Sequence, residues 1–420
     1  MYKKQTLTNN VRLLTIPLQE TQTASLVVLT KVGSRNESAS ISGASHFIEH
    51  LMFKGTKRRP TTLDLAKELD SIGAEFNAFT GKDLTGYFIK SDAKHLSLSI
   101  DVLSDILLHS KFDPQEITKE KGVIIEEINM YQDNPLMYVE DLLEQTIYGK
   151  SDPLGRSISG SRQTVSALTQ KDLLAYKNNF YTGSNIVIAV AGRFGQKQLA
   201  ELKRKFSFPI GRVVKKIPIR RPAARGIKLT IKNKETEQIQ LALGLPAYPY
   251  SHPRLYALQL LAIILGGNMS SRLFLSVRER NGLAYFIRTG VNIYEDAGAL
   301  TIQAGLDKQR LNEAIKLIVA ELKRAVKDLT AEELRRAKDY LYGQTAIEME
   351  NSLQLANFYA QQELMLKKVL TPAEKLKKIE AVNLNQLKKT AQEIIDLKRI
   401  SLAAIGPLKG EEARLKTLLK

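Results

Sequence analysis

The chain has 420 residues, 43% hydrophobic and 25% charged, so it can bury a sizeable core in two or more domains and is neither disordered nor fibrous. It contains no cysteine, which excludes disulfide frameworks, thiolate nucleophiles and cysteine-ligated zinc or iron–sulfur centres, so any metal must use histidine and carboxylate. The net charge of +18 is uneven: residues 1–210 hold 26 basic and 23 acidic side chains, residues 211–420 hold 36 and 21, and no nucleic-acid motif accompanies the excess.

In chain order, Val11 to Val32 reads as two strands around a turn at Gln19 to Thr23, followed by a helix over Ala44 to Phe53. Helical periodicity recurs at Leu63–Ser71, Ala93–His109 and Pro114–Tyr131, the last with Asp113 as N-cap and Pro114 at its first position. Between them Ala74 to Lys90 alternates as a hairpin turning at Gly81, Lys82 and Asp83. A helix from Gln170 then leads to an apolar strand, Ile186–Gly192. In the second half, strands are expected at Ile227–Lys232, Gln238–Leu245, Tyr285–Tyr294 and Ala299–Leu306. Helices are expected at Leu255–Leu265, Lys308–Val326, Ala331–Gln362 and Pro372–Val382. The closing helix from Asn383 and strand Ile400–Gly406 echo the end of the first half, with Gly192 and Gly406 standing 214 residues apart.

These elements predict an α+β protein of two domains with mostly antiparallel sheets. Pro209 to Gly226 carries three prolines, six basic residues and no acidic one, the composition of an exposed linker. The expected boundaries are therefore 1–208, a linker at 209–226, and 227–420. Leu255–Leu265, the most apolar stretch, is broken by Gln259 and too short to span a bilayer, and no signal-peptide core precedes the first strand. A soluble, cytoplasmic protein is expected, with no membrane and no nucleic-acid partner.

The strongest local pattern is His46-Phe47-Ile48-Glu49-His50. Residues four apart on a helix share a face, so His46 and His50 can offer two imidazoles to one metal ion with Glu49 on the flank. A third ligand must come from elsewhere. The helix from Pro114 carries Glu116, Glu120, Glu126 and Glu127; Glu120 and Glu127 are two turns apart and share a face, while Glu126 points about 100° away. Geometry favours Glu127 as ligand with Glu120 behind it, although any single glutamate in so charged a helix can equally face solvent. His95, His109 and His252 lack metal-like spacing and read as ordinary.

The reversed order His-x-x-Glu-His, within Gly43 to Thr56, resembles the M16 family of metallopeptidases, the inverted zincins that include pitrilysin, insulin-degrading enzyme and the mitochondrial processing peptidase. The resemblance covers the whole length. Glu127 stands 77 residues after His50, the spacing of the third zinc ligand in the pitrilysin type, and Glu120 matches the family's supporting glutamate. Asn77, Ala78, Phe79 and Thr80 resemble the edge strand that pairs with substrate backbone. In the second half, Ser270–Phe274 and Val277–Tyr285 are similar to the segment in which an Arg and a Tyr seven apart face the metal; Arg278 and Tyr285 hold those places, against the plainer reading of a salt-bridged arginine and a core tyrosine.

The resemblance implies two homologous α/β-sandwich-like domains of the LuxS/metallohydrolase type and a zinc-dependent endopeptidase acting on peptides or unfolded polypeptide. One Zn2+ per chain would be held by His46, His50 and Glu127, with Glu49 as general base and Glu120, Arg278 and Tyr285 in support. It also implies a homodimer closing around a chamber, or a heterodimer with an unseen partner. A catalytically silent structural subunit is the alternative. Because residues 1–210 are nearly neutral, no preference for strongly basic peptides is expected.

Overall fold

The computed structural model describes residues 2–215, 217, 218 and 226–420. The expected linker at 209–226 thus lies partly outside the described residues. The chain divides into two compact units, and neither is a contiguous half. The first comprises Met1–Ile128, Ser157–Ile217 and Thr345–Thr371; the second comprises Asn129–Arg156, Pro218–Gln344 and Pro372–Lys420. Each unit takes in a segment from the other half of the sequence, which the expected division at 208 and 227 did not include.

The first unit is built on a six-stranded sheet of β1 (Lys3–Thr6), β2 (Arg12–Pro17), β3 (Thr23–Thr30), β4 (Glu75–Thr80), β5 (Thr85–Asp92) and β6 (Ile186–Gly192). Its order is β1-β2-β6-β3-β5-β4, antiparallel except for β2 with β6. The central strands are apolar on both faces, so both must be covered. Ala24, Leu26 and Val28 of β3 and Ile186, Ile188 and Val190 of β6 face one core, built with α1 (Ala44–Met52), α2 (Thr62–Asp70), α3 (Leu96–His109) and α4 (Pro114–Asp133). The other face, Val27 and Leu29 with Val187, Ala189 and Ala191, is covered by a helix from the second half of the sequence, Ser352–Leu366, through Leu353, Ala356, Tyr359, Ala360 and Leu364.

The intervening chain supplies α5 (Pro135–Tyr148), α6 (Arg162–Ala167), α7 (Gln170–Phe180) and α8 (Gln196–Lys205). The second unit has a five-stranded sheet of β7 (Lys228–Asn233), β8 (Gln238–Ala247), β9 (Ala284–Ile293), β10 (Gly298–Asp307) and β11 (Ser401–Gly406), in the order β7-β11-β8-β10-β9. Again one pair is parallel, β7 with β11. Leu241, Leu243 and Leu245 of β8 face a core with α9 (Leu255–Ala262), α10 (Leu311–Asp328), α11 (Ala331–Glu350), α13 (Pro372–Glu380), α14 (Leu384–Ile394) and α15 (Glu412–Leu418). The Ser352–Leu366 helix is α12. On the opposite face, Ala242, Ala403 and Ile405 pack on α5 through Val139, Leu142, Leu143 and Ile147. The approach is close: a Cβ on Gly244 would lie 2.5 Å from Ile147 Cδ1.

Two expectations need correction. The helix expected over Ala331–Gln362 is two helices, broken because Asn351 leaves helical geometry and caps α12, its side chain accepting from Leu353 N. Asn134 does the same between α4 and α5, accepting from Leu136 N, so the two helix pairs correspond. Helix α5 itself was not expected, because its apolar positions pack on a sheet distant in sequence and no turn signal other than Asn134-Pro135 marks its start. The Asp113 cap is present, its carboxylate accepting from Gln115 N at 2.8 Å. The α9 stretch ends earlier than Leu265, passing at Ile263 into a wider helical turn.

Candidate metal centre

Helix α1 carries three of the chemistry-bearing residues, and its start is fixed by buried polar contacts. Gly43 precedes it at φ 99°, and the Glu37 carboxylate accepts from Gly43 N at 2.8 Å and Ser45 N at 2.7 Å, in place of an N-cap side chain. Ser45 also exchanges a hydrogen bond with the Tyr176 hydroxyl of α7 at 3.0 Å. Phe47, Ile48, Leu51 and Met52 enter the core, which leaves His46, Glu49 and His50 on the remaining face.

On α4, Ile117, Ile124 and Ile128 are buried, and this sets the rotation that brings Glu120 and Glu127 toward α1. His46 Nε2 lies 3.2 Å from His50 Nε2, and each lies 3.6 Å from Glu127 Oε2. Among the described residues these three form the one group of histidine and carboxylate side chains able to hold a metal ion. Four tetrahedral ligands at about 2.0–2.1 Å from zinc stand about 3.3–3.4 Å apart, so the donor spacing fits that ion with one corner left over.

The electrostatics agree with this fit. Burial and the neighbouring His50 push the His46 imidazole down to about 3, which favours the neutral form that can ligate a metal. Its Nδ1 is buried without a hydrogen-bond partner. His50 Nδ1 lies 2.7 Å from Glu120 Oε1, and the second oxygen of Glu120 is 2.7 Å from Lys54 Nζ. Burial alone would raise the Glu120 carboxyl, but the bonds from His50 and Lys54 outweigh it and hold it below the usual range. An ionised Glu120 accepts from Nδ1–H and leaves the Nε2 lone pair of His50 aimed at the metal position. Burial raises Glu127, against the attraction of His50.

Glu49 is raised by burial and held back by a hydrogen bond from the Thr80 hydroxyl to its Oε2 at 2.5 Å. Thr80 ends β4, the edge strand carrying Asn77, Ala78 and Phe79, whose one sheet neighbour among the described residues is β5. Arg278 and Tyr285 belong to the second unit. Both are exposed, Tyr285 by 73%; the Arg278 guanidinium sits 4.8 Å from the Phe274 ring. His252 stacks on Tyr248 at 3.7 Å, His95 immediately precedes α3, and His109 is its last residue. Lys54 had no signal in the sequence, because only the fold brings it to Glu120. Thr80 was visible only as the end of the strand motif.

Two imidazoles one helical turn apart and a carboxylate from α4 form a donor set that could hold a metal ion, with Glu49 beside it. The comparisons with known proteins bear on the family. Residues 12–162 match the family description "Insulinase (Peptidase family M16)" and residues 167–341 match "Peptidase M16 inactive domain". An uncharacterised zinc protease of Bacillus subtilis is 36% identical over 410 residues, covering 97% of this chain and 98% of that protein. One from Streptomyces coelicolor is 32% identical over 421 residues, covering 98% and 91%. The chain belongs to the M16 peptidase family. Among solved structures, a protease from Helicobacter pylori superposes with a TM-score of 0.87 at 24% identity, covering 97% of this chain and 99% of that one. A peptidase M16 inactive domain from Pseudomonas fluorescens superposes at 0.89 with 18% identity, covering 97% and 98%; these two likenesses concern the fold.

Proposed function

We propose that the chain is a zinc-dependent endopeptidase that hydrolyses peptides or unfolded polypeptide segments. The observation that carries this reading is the convergence of His46 Nε2, His50 Nε2 and Glu127 Oε2 at zinc-ligand spacing, with Glu49 on the same turn of α1. A zinc ion bound there would acidify water and polarise the scissile carbonyl. Glu49 takes the proton from the attacking water and delivers it to the leaving amine, a task suited to a carboxylate whose affinity for protons is raised by burial. Glu120 fixes the His50 tautomer. The edge of β4 at Asn77, Ala78 and Phe79, with no second strand beside it among the described residues, adds an extended peptide as a further strand, main chain to main chain.

Arg278 and Tyr285 are assigned to substrate contact on the resemblance of their segment and on their exposure; a guanidinium binds carboxylate or carbonyl groups and a phenol donates to a developing oxyanion. One zinc per chain is expected, since α9 has no histidine. A cytoplasmic homodimer is the proposed assembly, because the zinc motif and the Arg-Tyr pair occur in one chain. The described residues contain no helix long and apolar enough to cross a membrane.

The test is cleavage of a mixed quenched-peptide library by zinc-loaded protein beside Glu49→Gln prepared identically. Cleavage by the first alone, with zinc retained by both, is the expected result. The description of residues 167–341 as an inactive domain favours a second reading, a silent or partner-dependent subunit. Folded, zinc-loaded protein that cleaves nothing would select it.

A further inference from the structure

The hydroxyl of Thr80 reaches Glu49 from an unusually well-fixed piece of chain. The β4–β5 turn is closed by Gly81 N donating to Leu84 O at 2.8 Å. It is strapped to the loop before α1 by Ser34 N to Gly81 O at 3.1 Å and Arg35 N to Lys82 O at 3.0 Å. The buried Arg35 guanidinium adds a bond to Asp83 Oδ1 at 3.0 Å. The two loops touch so closely that a Cβ on Gly33 would lie 2.3 Å from Gly81 O. On the other strand Thr85, opposite Thr80, anchors its own hydroxyl on Val32 O at 2.8 Å. The Thr80 donor is therefore set by backbone that cannot easily shift.

Glu49, by contrast, has a side chain with three rotatable bonds, and freedom in those bonds separates a carboxylate near a water from one aligned with it. We propose that Thr80 is the positioning residue for Glu49: its hydroxyl holds Oε2 and so presents the rest of the carboxylate to the water. Because Thr80 closes the same strand whose edge adds the peptide, one hydrogen bond ties the register of the substrate to the orientation of the base. The inference rests on the endopeptidase reading above. A threonine serves here because its hydroxyl donates to an ionised carboxylate and a β-branched side chain suits a strand.

The experiment compares wild type, Thr80→Val, Thr80→Ala, Thr80→Ser and Glu49→Gln in the zinc-loaded full chain, on one quenched peptide, with zinc content and thermal melting measured for each. Thr80→Val should lower kcat by about tenfold to a hundredfold with KM and zinc content within about twofold of wild type. Thr80→Ser, which keeps the donor, should restore kcat to within about threefold. Thr80→Ala reads the same loss if valine disturbs the turn and lowers the melting temperature. Full kcat in a folded Thr80→Val or Thr80→Ala overturns the inference, as does a loss that serine does not rescue. A folded, zinc-loaded wild type that cleaves nothing would instead overturn the endopeptidase reading itself, whereas a Glu49→Gln protein as active as wild type would remove Glu49 as the base and overturn the inference with it.

Discussion

The two units share a five-strand order, to which the first adds β1, with one parallel pair and one exchanged helix each, yet among the described residues only the first holds a group of metal donors. The helix pairs α4–α5 and α11–α12 correspond residue for residue about their capping asparagines, Asn134 and Asn351, which lie 217 positions apart. At that offset Glu120 becomes Ala337, which is buried, and Glu127 becomes Gln344, which is exposed. Helix α9, in the place of α1, is Leu255–Ala262 with six buried apolar residues and no histidine. The fold therefore does not need the site. In the first unit a buried carboxylate bonded to His50 and Lys54 stands where the second places alanine, and His46 keeps a buried Nδ1 with no hydrogen-bond partner, whereas α9 has no histidine at all.

The largest expected effects break this contrast at its centre. His46→Ala, His50→Ala or Glu127→Gln should abolish zinc retention, and dialysed protein measured by metal analysis should fall from one zinc per chain to none. Gln344→Glu combined with Ala337→Glu should leave the count at one, because no imidazole accompanies them. Glu49→Gln should keep zinc and lose about 10²–10⁴-fold in kcat/KM on a quenched peptide. Glu120→Gln should weaken zinc affinity by about 10–100-fold in a chelator competition, since His50 loses its ionised acceptor.

The exchanged helices give the next test. Leu364→Ala in α12 and Leu143→Ala in α5 each remove a buried side chain and should cost about 2–5 kcal/mol. The loss from Leu364→Ala should appear in the first unit, although the residue lies in the second half of the sequence, and that from Leu143→Ala in the second. Hydrogen exchange resolved by peptide would locate them: faster exchange in β7, β8 and β11 on Leu364→Ala would contradict the assignment.

The smallest effect concerns charge networks. In the first unit Asp101 binds Arg58, Arg59 and Lys205; burial would raise its carboxyl, but those bonds outweigh it and hold it well below the carboxylate range. In the second, Arg272 binds Asp328 and Glu333, both lowered in the same way. A carboxylate depressed on folding contributes stability above its unfolded value, about 4, and loses it as pH falls toward the folded one. Asp101→Asn should therefore lower the melting temperature at neutral pH, and the gap to wild type should narrow as pH falls below about 5.

Much of this protein was legible from local pattern. The four-residue spacing of His46 and His50, the seven-residue spacing of Glu120 and Glu127, the Asp113-Pro114 helix start and the alternating hairpin around Gly81 depend on neighbours in sequence, and helix and strand periods express them directly. Those periods put two imidazoles on one face of α1 and Glu120 with Glu127 on one face of α4, and left open whether either glutamate faced solvent. Tertiary structure alone decided which residues lie across from them. Lys54 meets Glu120 and Thr80 meets Glu49 through contacts between elements distant in the chain. The assignment of α5 and α12 to units away from their own halves was equally hidden. Each helix has an apolar stripe that any uncovered sheet face could accept, so the sequence determined that they must be buried, and only three-dimensional packing determined on which sheet.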